Sequence, residues 1–217
     1  MLIALTLLAA QPAEAPEIVV TAPCHLKARQ LLPALRAYRK GRGARAPGST
    51  LFFETDPAAA RGGVTPAMLR IHSGGMTRPV PADSAGRFVL PADPPDDLQI
   101  TGPCHDGTLA ISPLVMSPGT DAADRRLGDL RLQCAVGWAM AKQALAETTG
   151  VFMRVLGECA GTRNALANSS ARPIAEAVVT HGSVTRPLPV REGGFGYSVP
   201  LGDKRLPDAA RVRFRFR

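Results

Sequence analysis

The hexapeptide MTRPVP at Met76–Pro81 occurs again, almost unchanged, as VTRPLP at Val184–Pro189. The threonines of the two copies are separated by 108 residues (185 − 77). In each copy the two prolines alternate with one other residue, so their missing N–H groups fall on the same side of an extended strand. Such a strand pairs on its other side only, which predicts an edge strand or a bulged strand in each region.

The similarity extends to both sides of the hexapeptides. Upstream, His72 and His181 lie at matching positions next to a turn, with one residue of slack. Downstream, Phe88 matches Tyr197. Further upstream, each hexapeptide is preceded by a cysteine and a helix-like segment. Agreement of several features at nearly one spacing predicts a tandem duplication, with units at residues 23–111 and 132–217.

Each predicted unit contains one helix followed by short strands. LLPALRAYRKG (31–41) places Leu31, Leu35 and Tyr38 on one helical face, with Pro33 suited to the first turn and Gly41 to the end. CAVGWAMAKQALAETTG (134–150) is apolar nearly all round, which predicts a buried helix ending at its last glycine. The strand-like segments are TLFFET (50–55), AMLRIH (67–72), RFVLP (87–91), VFMRVLG (151–157), AEAVVTH (175–181) and GYSVP (196–200). The predicted fold is α+β: two tandem pseudo-repeats, each a helix packed on a small antiparallel sheet.

The stretch DSAGRFVLP (Asp83–Pro91) follows the pattern D-x-x-G-x-F-x-L. This pattern resembles a hairpin of carboxypeptidase-regulatory-like, transthyretin-type β-sandwich modules. The second unit keeps Gly194 and Tyr197 but lacks the aspartate. The resemblance implies a β-hairpin at this place, and as a whole the chain resembles an exported bacterial protein.

The N-terminus is typical of an export signal. LIALTLLAA (2–10) is an uncharged apolar run, and AEA (13–15) fits a signal-peptidase site. The run is shorter than the ~20 residues that a transmembrane helix needs. We therefore predict a signal peptide at 1–15, with cleavage after Ala10 as the alternative, no transmembrane segment, and a periplasmic or secreted protein.

Four cysteines follow this segment, and an even number in an exported chain predicts disulfides. A helix of ~15 residues beginning at Cys134 climbs ~22 Å, and a strand of seven or eight residues returns by ~25 Å. An antiparallel return brings Cys159 back beside Cys134. The predicted pairs are therefore Cys134–Cys159 and, from the remaining two, Cys24–Cys104.

A metal site formed by cysteines and histidines is the alternative to these disulfides. His25 and His105 each follow a Pro-Cys dipeptide, so two Cys-His pairs could form a zinc site. Their spacing matches no zinc finger, and adjacent residues of a strand rarely bind one ion. We predict no metal site and no cofactor.

Basic residues dominate the charge, which is +8 at neutral pH. One cluster lies on and after the first predicted helix: Lys27, Arg29, Arg36, Arg39, Lys40, Arg42 and Arg45. The cluster suits an anionic envelope polymer or lipid headgroups, or else is a solvated helix face. The C-terminal RVRFRFR (211–217) alternates apolar and cationic residues, which predicts a strand with charges suited to a sheet edge. Nucleic acid is not predicted as a partner of an exported chain with few aromatic residues among its arginines.

No motif for a nucleophile, a phosphate loop, a dinucleotide or a metalloprotease site is present. The sequence therefore predicts a non-catalytic protein with a binding or structural role at the cell envelope, whose partner is an anionic component or another envelope protein. The alternatives are a cationic module that uses the helix cluster, and an enzyme whose site has no recognised motif.

Overall fold

The described part of the structure, a computed structural model, comprises residues 23–105, 108–109, 111–146, 159 and 166–217. The predicted signal peptide and the predicted strand at 151–157 lie outside these residues. Within them, three helices combine with several antiparallel sheets, which confirms the α+β class.

The elements up to residue 116 are β1 (Cys24–Lys27), α1 (Ala28–Arg45), β2 (Thr50–Thr55), α2 (Pro57–Arg61), β3 (Arg70–Ser73), β4 (Met76–Pro79), β5 (Arg87–Phe88), β6 (Gln99–Gly102), β7 (Cys104–His105), β8 (Thr108–Leu109) and β9 (Ile111–Met116). Those that follow are β10 (Asp124–Arg126), α3 (Leu127–Ala146), β11 (Leu166–Ser169), β12 (Ile174–His181), β13 (Val184–Pro187), β14 (Gly196–Val199) and β15 (Arg211–Phe216). The predicted unit boundary at residue 132 falls inside α3.

Helix α1 differs at both ends from the sequence prediction. It begins at Ala28, so Pro33 lies in its interior and not in its first turn. It also continues past Gly41, where a Cβ atom would lie 2.6 Å from Cδ1 of Leu132 on α3. The glycine therefore allows two helices to approach closely and does not end the helix.

Helix α3 begins at Leu127, about two turns before the predicted start at Cys134. Leu127, Leu130 and Cys134 belong to a hydrophobic cluster of the C-terminal part, whereas Leu132 and Val136 belong to a cluster of the N-terminal part. Two faces of α3 therefore serve two cores. The burial expected of residues 134–150 holds only in part, since Cys134 and Val136 are the buried residues among 134–142, and the predicted end at Gly150 lies outside the described residues.

Two four-stranded sheets dominate the fold. The N-terminal sheet has the order β1-β6-β3-β4, and the C-terminal sheet has the order β10-β15-β12-β13. The proline-containing strands β4 and β13 are the last strands of their sheets, which confirms the edge prediction. Smaller sheets are formed by β5-β2-β9, β11-β14 and β7-β8.

The registers of the two large sheets match row by row. One row of the N-terminal sheet joins Leu26, Ile100, Ile71 and Arg78. The corresponding row of the C-terminal sheet joins Arg125, Val212, Val179 and Arg186. In both sheets a helix begins directly after the first strand, at Ala28 or Leu127.

The two histidines near the hairpin turns occupy different rows. His72 pairs with Thr77, one row away from the Gly74-Gly75 turn, whereas His181 pairs with Val184 directly beside its turn. Counted from the turns, the two positions differ by one residue, which is the slack that the prediction allowed. The His72 ring instead bonds Thr77 and Thr101 through its two nitrogens, at 2.8 Å each.

The C-terminal segment forms a strand with alternating apolar and charged residues, as predicted, but it is not an edge strand. β15 lies between β10 and β12. Arg211 and Arg213 form ion pairs with Asp124, and Arg215 forms one with Glu176. Its charges are therefore matched by carboxylates on the neighbouring strands.

Both predicted disulfides are confirmed. The Cα atoms are 5.1 Å apart in Cys24–Cys104 and 5.9 Å apart in Cys134–Cys159. The first pair holds the beginning of β1 to β7, and the second ties α3 to residue 159. A bilayer-spanning helix is not found in the described part of the chain.

Candidate functional site

A cavity of about 480 Å³ lies between the two parts of the molecule. From the N-terminal part it is lined by residues of β2, β5, β9, α2 and the segment that follows α2. From the C-terminal part the lining comes from β10, β12, β14, β15 and the loop before β12. A volume of this size is typical of small-molecule sites, which lie preferentially between structural units.

Most of the lining is apolar. Leu114 and Met116 contribute from β9, and an aromatic group contributes from the opposite side. That group, called the aromatic wall below, consists of Tyr197, Phe214 and Phe216. Its first two rings have centroids 4.5 Å apart, a spacing at which tilted aromatic rings attract one another. The wall offers a large, rigid apolar surface to a bound molecule.

Arg125 is the most unusual residue of the lining. Its side chain is only 6% exposed, and its Nη2 donates hydrogen bonds to the Val115 carbonyl at 2.6 Å and to Gln133 Oε1 at 2.9 Å. Its Nε–H has no partner among the described residues, and the guanidinium forms no ion pair with a described carboxylate. A buried cation whose hydrogen-bond partners are all neutral carries a desolvation cost, which the coulombic attraction of the nearby Glu54 carboxyl opposes.

Two further polar residues of β2 line the cavity without partners. The partly buried carboxylate of Glu54 has no hydrogen bond or ion pair with the described residues. Burial raises the pKa of Glu54, and the nearby charges of Arg125 and Arg87 oppose this shift. Beside it, Thr55 is 8% exposed and its Oγ1 is unpartnered. Buried polar atoms without a partner are uncommon in folded proteins, and among the described residues two of the three, Thr55 Oγ1 and Arg125 Nε, belong to residues of this lining, the third being Trp138 Nε1.

The hydroxyl of Tyr197 is protonated at neutral pH, as is usual for tyrosine. Burial raises the pKa of Tyr197 further, to about 12. The ring belongs to the aromatic wall and is almost completely buried. Tyr197 can therefore offer an O–H donor to a ligand while its ring provides apolar contact.

The rim of the cavity carries arginines whose positions are held by contacts within the protein. Arg87 forms an ion pair with Asp83 at 2.9 Å, and the Arg172 guanidinium lies 4.4 Å from the centroid of the Phe216 ring. Next to the cavity, Arg61 of α2 donates a hydrogen bond to the Ser170 carbonyl at 2.7 Å and stacks on Phe195. The two contacts of Arg61 tie α2 to the C-terminal part of the molecule beside the cavity.

The predicted anionic-ligand cluster lies elsewhere. Lys27 and the arginines and lysine of α1 are all exposed, and none of the seven residues lines the cavity. Within the cluster, Arg39 bonds Asp93 and the Ala92 carbonyl, and Arg42 lies over the Tyr38 ring. An anionic partner for this helix stays a prediction.

Sequence reasoning did not identify the cavity residues. They come from segments between Glu54 and Phe216 that no local motif connects, and Arg125 stands in an ordinary charged stretch, DRR. The only relevant signal was the alternating RVRFRF strand, which supplies two of the three aromatic rings. Comparisons with protein-family models, with curated proteins and with solved structures give no match, so the site is interpreted from its own geometry.

Proposed function

We propose that the protein is a non-catalytic binding protein that holds a small, largely apolar ligand in the cavity between its two parts. The observation that carries this proposal is the combination of an apolar cavity with buried polar atoms that lack partners. Native pockets that bind small molecules have this composition: mostly apolar lining with a few polar groups that orient the ligand.

The lining favours binding over catalysis. Its carboxylates, Glu54 and Asp121, belong to different parts of the chain, and Asp121 accepts hydrogen bonds from the backbone N–H groups of Ala123 and Asp124. None of the lining residues is a histidine or a cysteine. A nucleophile hydrogen-bonded to a base, the usual arrangement for covalent catalysis, is therefore not formed by these residues.

We further propose that the protein acts outside the cytoplasm, in the periplasm or after secretion. The apolar N-terminal run followed by AEA supports export, and two disulfides support an oxidising compartment. A binding protein at the cell envelope would meet small molecules that enter from the surroundings.

We also propose that the two large sheets descend from one duplicated unit. Three features support this: the equivalent strand orders, the matching rows that contain the two TRP segments, and the helix that follows the first strand of each sheet. On this interpretation the binding cavity lies where the two copies meet.

The proposal is tested with N-phenyl-1-naphthylamine, a neutral dye whose fluorescence rises in apolar surroundings. The chain with both disulfides formed should bind one dye molecule saturably. Ala60→Phe places a ring at a lining position of α2 and should weaken dye binding by roughly tenfold or more, equivalent to at least ~1.4 kcal/mol.

The matched control is Ala58→Phe, which adds the same ring to α2 at a position that does not line the cavity. It should leave dye affinity within about twofold of the unmodified protein, a difference of ~0.4 kcal/mol. Saturable dye binding that both variants retain would mean that the dye binds elsewhere, and absence of saturable binding to the unmodified protein would contradict the proposal.

A further inference from the structure

We infer that the ligand is a small organic anion with an apolar body, whose carboxylate binds Arg125 while its body packs against the aromatic wall. This inference rests on the proposed function, because it assigns the chemical class of the molecule that the cavity holds. It uses the hydrogen-bonding capacity that the protein leaves unused on the Arg125 guanidinium, the charges around the cavity and the position of Arg125 in the sheet.

The first argument is the position of Arg125 in its sheet. Arg125 pairs with Val212, and the corresponding pair in the N-terminal sheet is Leu26 with Ile100. Leu26 packs against the N-terminal hydrophobic cluster. The same place in the framework thus accepts an apolar side chain, so a buried arginine is not required for the sheet to form. Its charge is then best explained by a partner that is bound during function.

The second argument is the arrangement of donors. Arg125 donates its hydrogen bonds to the protein through Nη2, so its Nη1 has no hydrogen bond with the described residues, and Tyr197 brings a hydroxyl donor to the lining of the same cavity. Arg125 has only neutral acceptors within the protein. A ligand carboxylate would accept charge-assisted hydrogen bonds from the guanidinium, which are about twice as strong as hydrogen bonds between neutral groups.

The third argument concerns the other charges of the lining, which disfavour a cationic ligand. Three arginines line the cavity against two carboxylates, and Asp121 is engaged by backbone N–H groups of its own turn. The arginine Arg172 already covers the face of Phe216, where a ligand cation would otherwise bind. Glu54 remains the single carboxylate free of hydrogen bonds among the lining residues described, and Arg125 and Arg87 already lie close enough to attract its charge.

The test uses three displacing probes with one body and different head groups: 3-phenylpropanoate, 3-phenylpropan-1-ol and 3-phenylpropylamine. Each competes with N-phenyl-1-naphthylamine at neutral pH. We expect the carboxylate to displace the dye at concentrations roughly 10- to 100-fold lower than the alcohol requires, the range expected for hydrogen bonds to a charged group. The amine should displace less well than the alcohol.

Two variants connect this preference to Arg125. Arg125→Met keeps an unbranched side chain without charge and should make the carboxylate and the alcohol equally effective. Arg125→Lys restores the charge and should recover part of the preference. Unchanged far-ultraviolet circular dichroism and retained dye binding show that each variant still has its cavity.

The possible outcomes separate the two proposals. If the dye binds but the amine or the alcohol displaces it as well as the carboxylate does, the anion inference is wrong and the cavity remains a binding site. A carboxylate preference that persists in Arg125→Met would also overturn the inference. If the unmodified protein does not bind the dye and no probe raises its thermal stability, the proposed function itself fails.

Discussion

The two large sheets of this protein share one framework and use it differently. In the N-terminal sheet Leu26 of β1 lies opposite Ile100 of β6. At the corresponding place in the C-terminal sheet, Arg125 of β10 lies opposite Val212 of β15. The leucine completes a hydrophobic core, whereas the arginine lines a cavity. The framework therefore tolerates an apolar residue at this place, which supports the proposal that the buried charge of Arg125 serves ligand binding.

A second pair of positions shows the same contrast. Gly102 lies two residues after Ile100 on β6 of the N-terminal sheet, and Phe214 lies two residues after Val212 on β15 of the C-terminal sheet. A Cβ atom at Gly102 would lie 2.6 Å from Leu69 Cδ2 and 3.3 Å from Leu109 Cδ1, so neighbouring leucines fill that space. Phe214 instead contributes to the aromatic wall. One end of the framework is closed by its own side chains, and the other lines the cavity.

The largest expected effect concerns the disulfides, one in each part of the molecule. The Cys24–Cys104 bridge spans 80 residues and Cys134–Cys159 spans 25. On the loop-entropy account, replacing both cysteines by serine should lower the free energy of unfolding by about 4.5 kcal/mol for the first pair and about 3.5 kcal/mol for the second. Urea unfolding of the two double variants measures both values. A clearly larger loss for the shorter loop would show that native-state contacts, and not loop length, distinguish the two parts.

The junction of the two helices should be almost as sensitive. A Cβ atom at Gly128, in the first turn of α3, would collide with the backbone carbonyl oxygen of Arg45 at the end of α1. Gly128→Ala should therefore destabilise the protein by about 3 kcal/mol, at the upper end of overpacking effects. Gly137→Ala in the same helix is the control, because its Cβ would have only an ordinary contact at 3.7 Å and it should stabilise by about 0.5–1 kcal/mol. Equal effects of the two changes in thermal unfolding would refute the close packing of α1 on α3.

The pH dependence of binding sharpens the role of Glu54. Its carboxyl has a pKa raised above 4.5 by burial, with Arg125, Arg87, Asp56 and Tyr197 as the charged or titratable groups around it. The neutral form predominates below the raised pKa and does not repel an anion. As the pH rises through that value, Glu54 ionises, and the affinity for an anion should fall by roughly tenfold, or ~1.4 kcal/mol.

The measurement uses 3-phenylpropane-1-sulfonate, which stays ionised throughout, as the displacing probe between pH 4 and pH 8. Glu54→Gln is the matched variant, since it keeps the shape of the side chain without its titration. Its affinity for the sulfonate should vary much less with pH. An equally steep pH dependence in Glu54→Gln would assign the effect to another group.

Much of the framework was predictable from local patterns. The alternating proline pairs, Pro79 with Pro81 and Pro187 with Pro189, identify the edge strands. A missing backbone N–H prevents pairing on that side of a strand in any sheet. The disulfide pairs follow from the order of four cysteines along helix and strand. The helix ends were less predictable, because Gly41 and Pro33 are usual signals for helix ends but here occupy interior positions, and Gly41 allows close packing on α3.

The cavity was not predictable, for a physical reason. Its polar residues, Glu54 and Arg125, come from distant segments of the chain and are brought together by the packing of two sheets. Arg125 looks like any other arginine until its burial is known. The equivalence of Arg125 and Leu26 depends on the register of both sheets, which the sequence does not reveal.

The most direct test of the account compares Arg125→Met with Leu26→Met in urea unfolding, with and without 3-phenylpropanoate. Without ligand, Arg125→Met should be as stable as the unmodified protein or up to about 1 kcal/mol more stable, because a buried charge has been removed. At one fixed concentration, 100 times the dissociation constant of the unmodified protein, the carboxylate should raise the free energy of unfolding by about 2.7 kcal/mol in the unmodified protein and in Leu26→Met, and by much less in Arg125→Met. A loss of several kcal/mol in ligand-free Arg125→Met, together with full stabilisation by the carboxylate, would contradict the account, since Arg125 would then serve the fold and not the ligand.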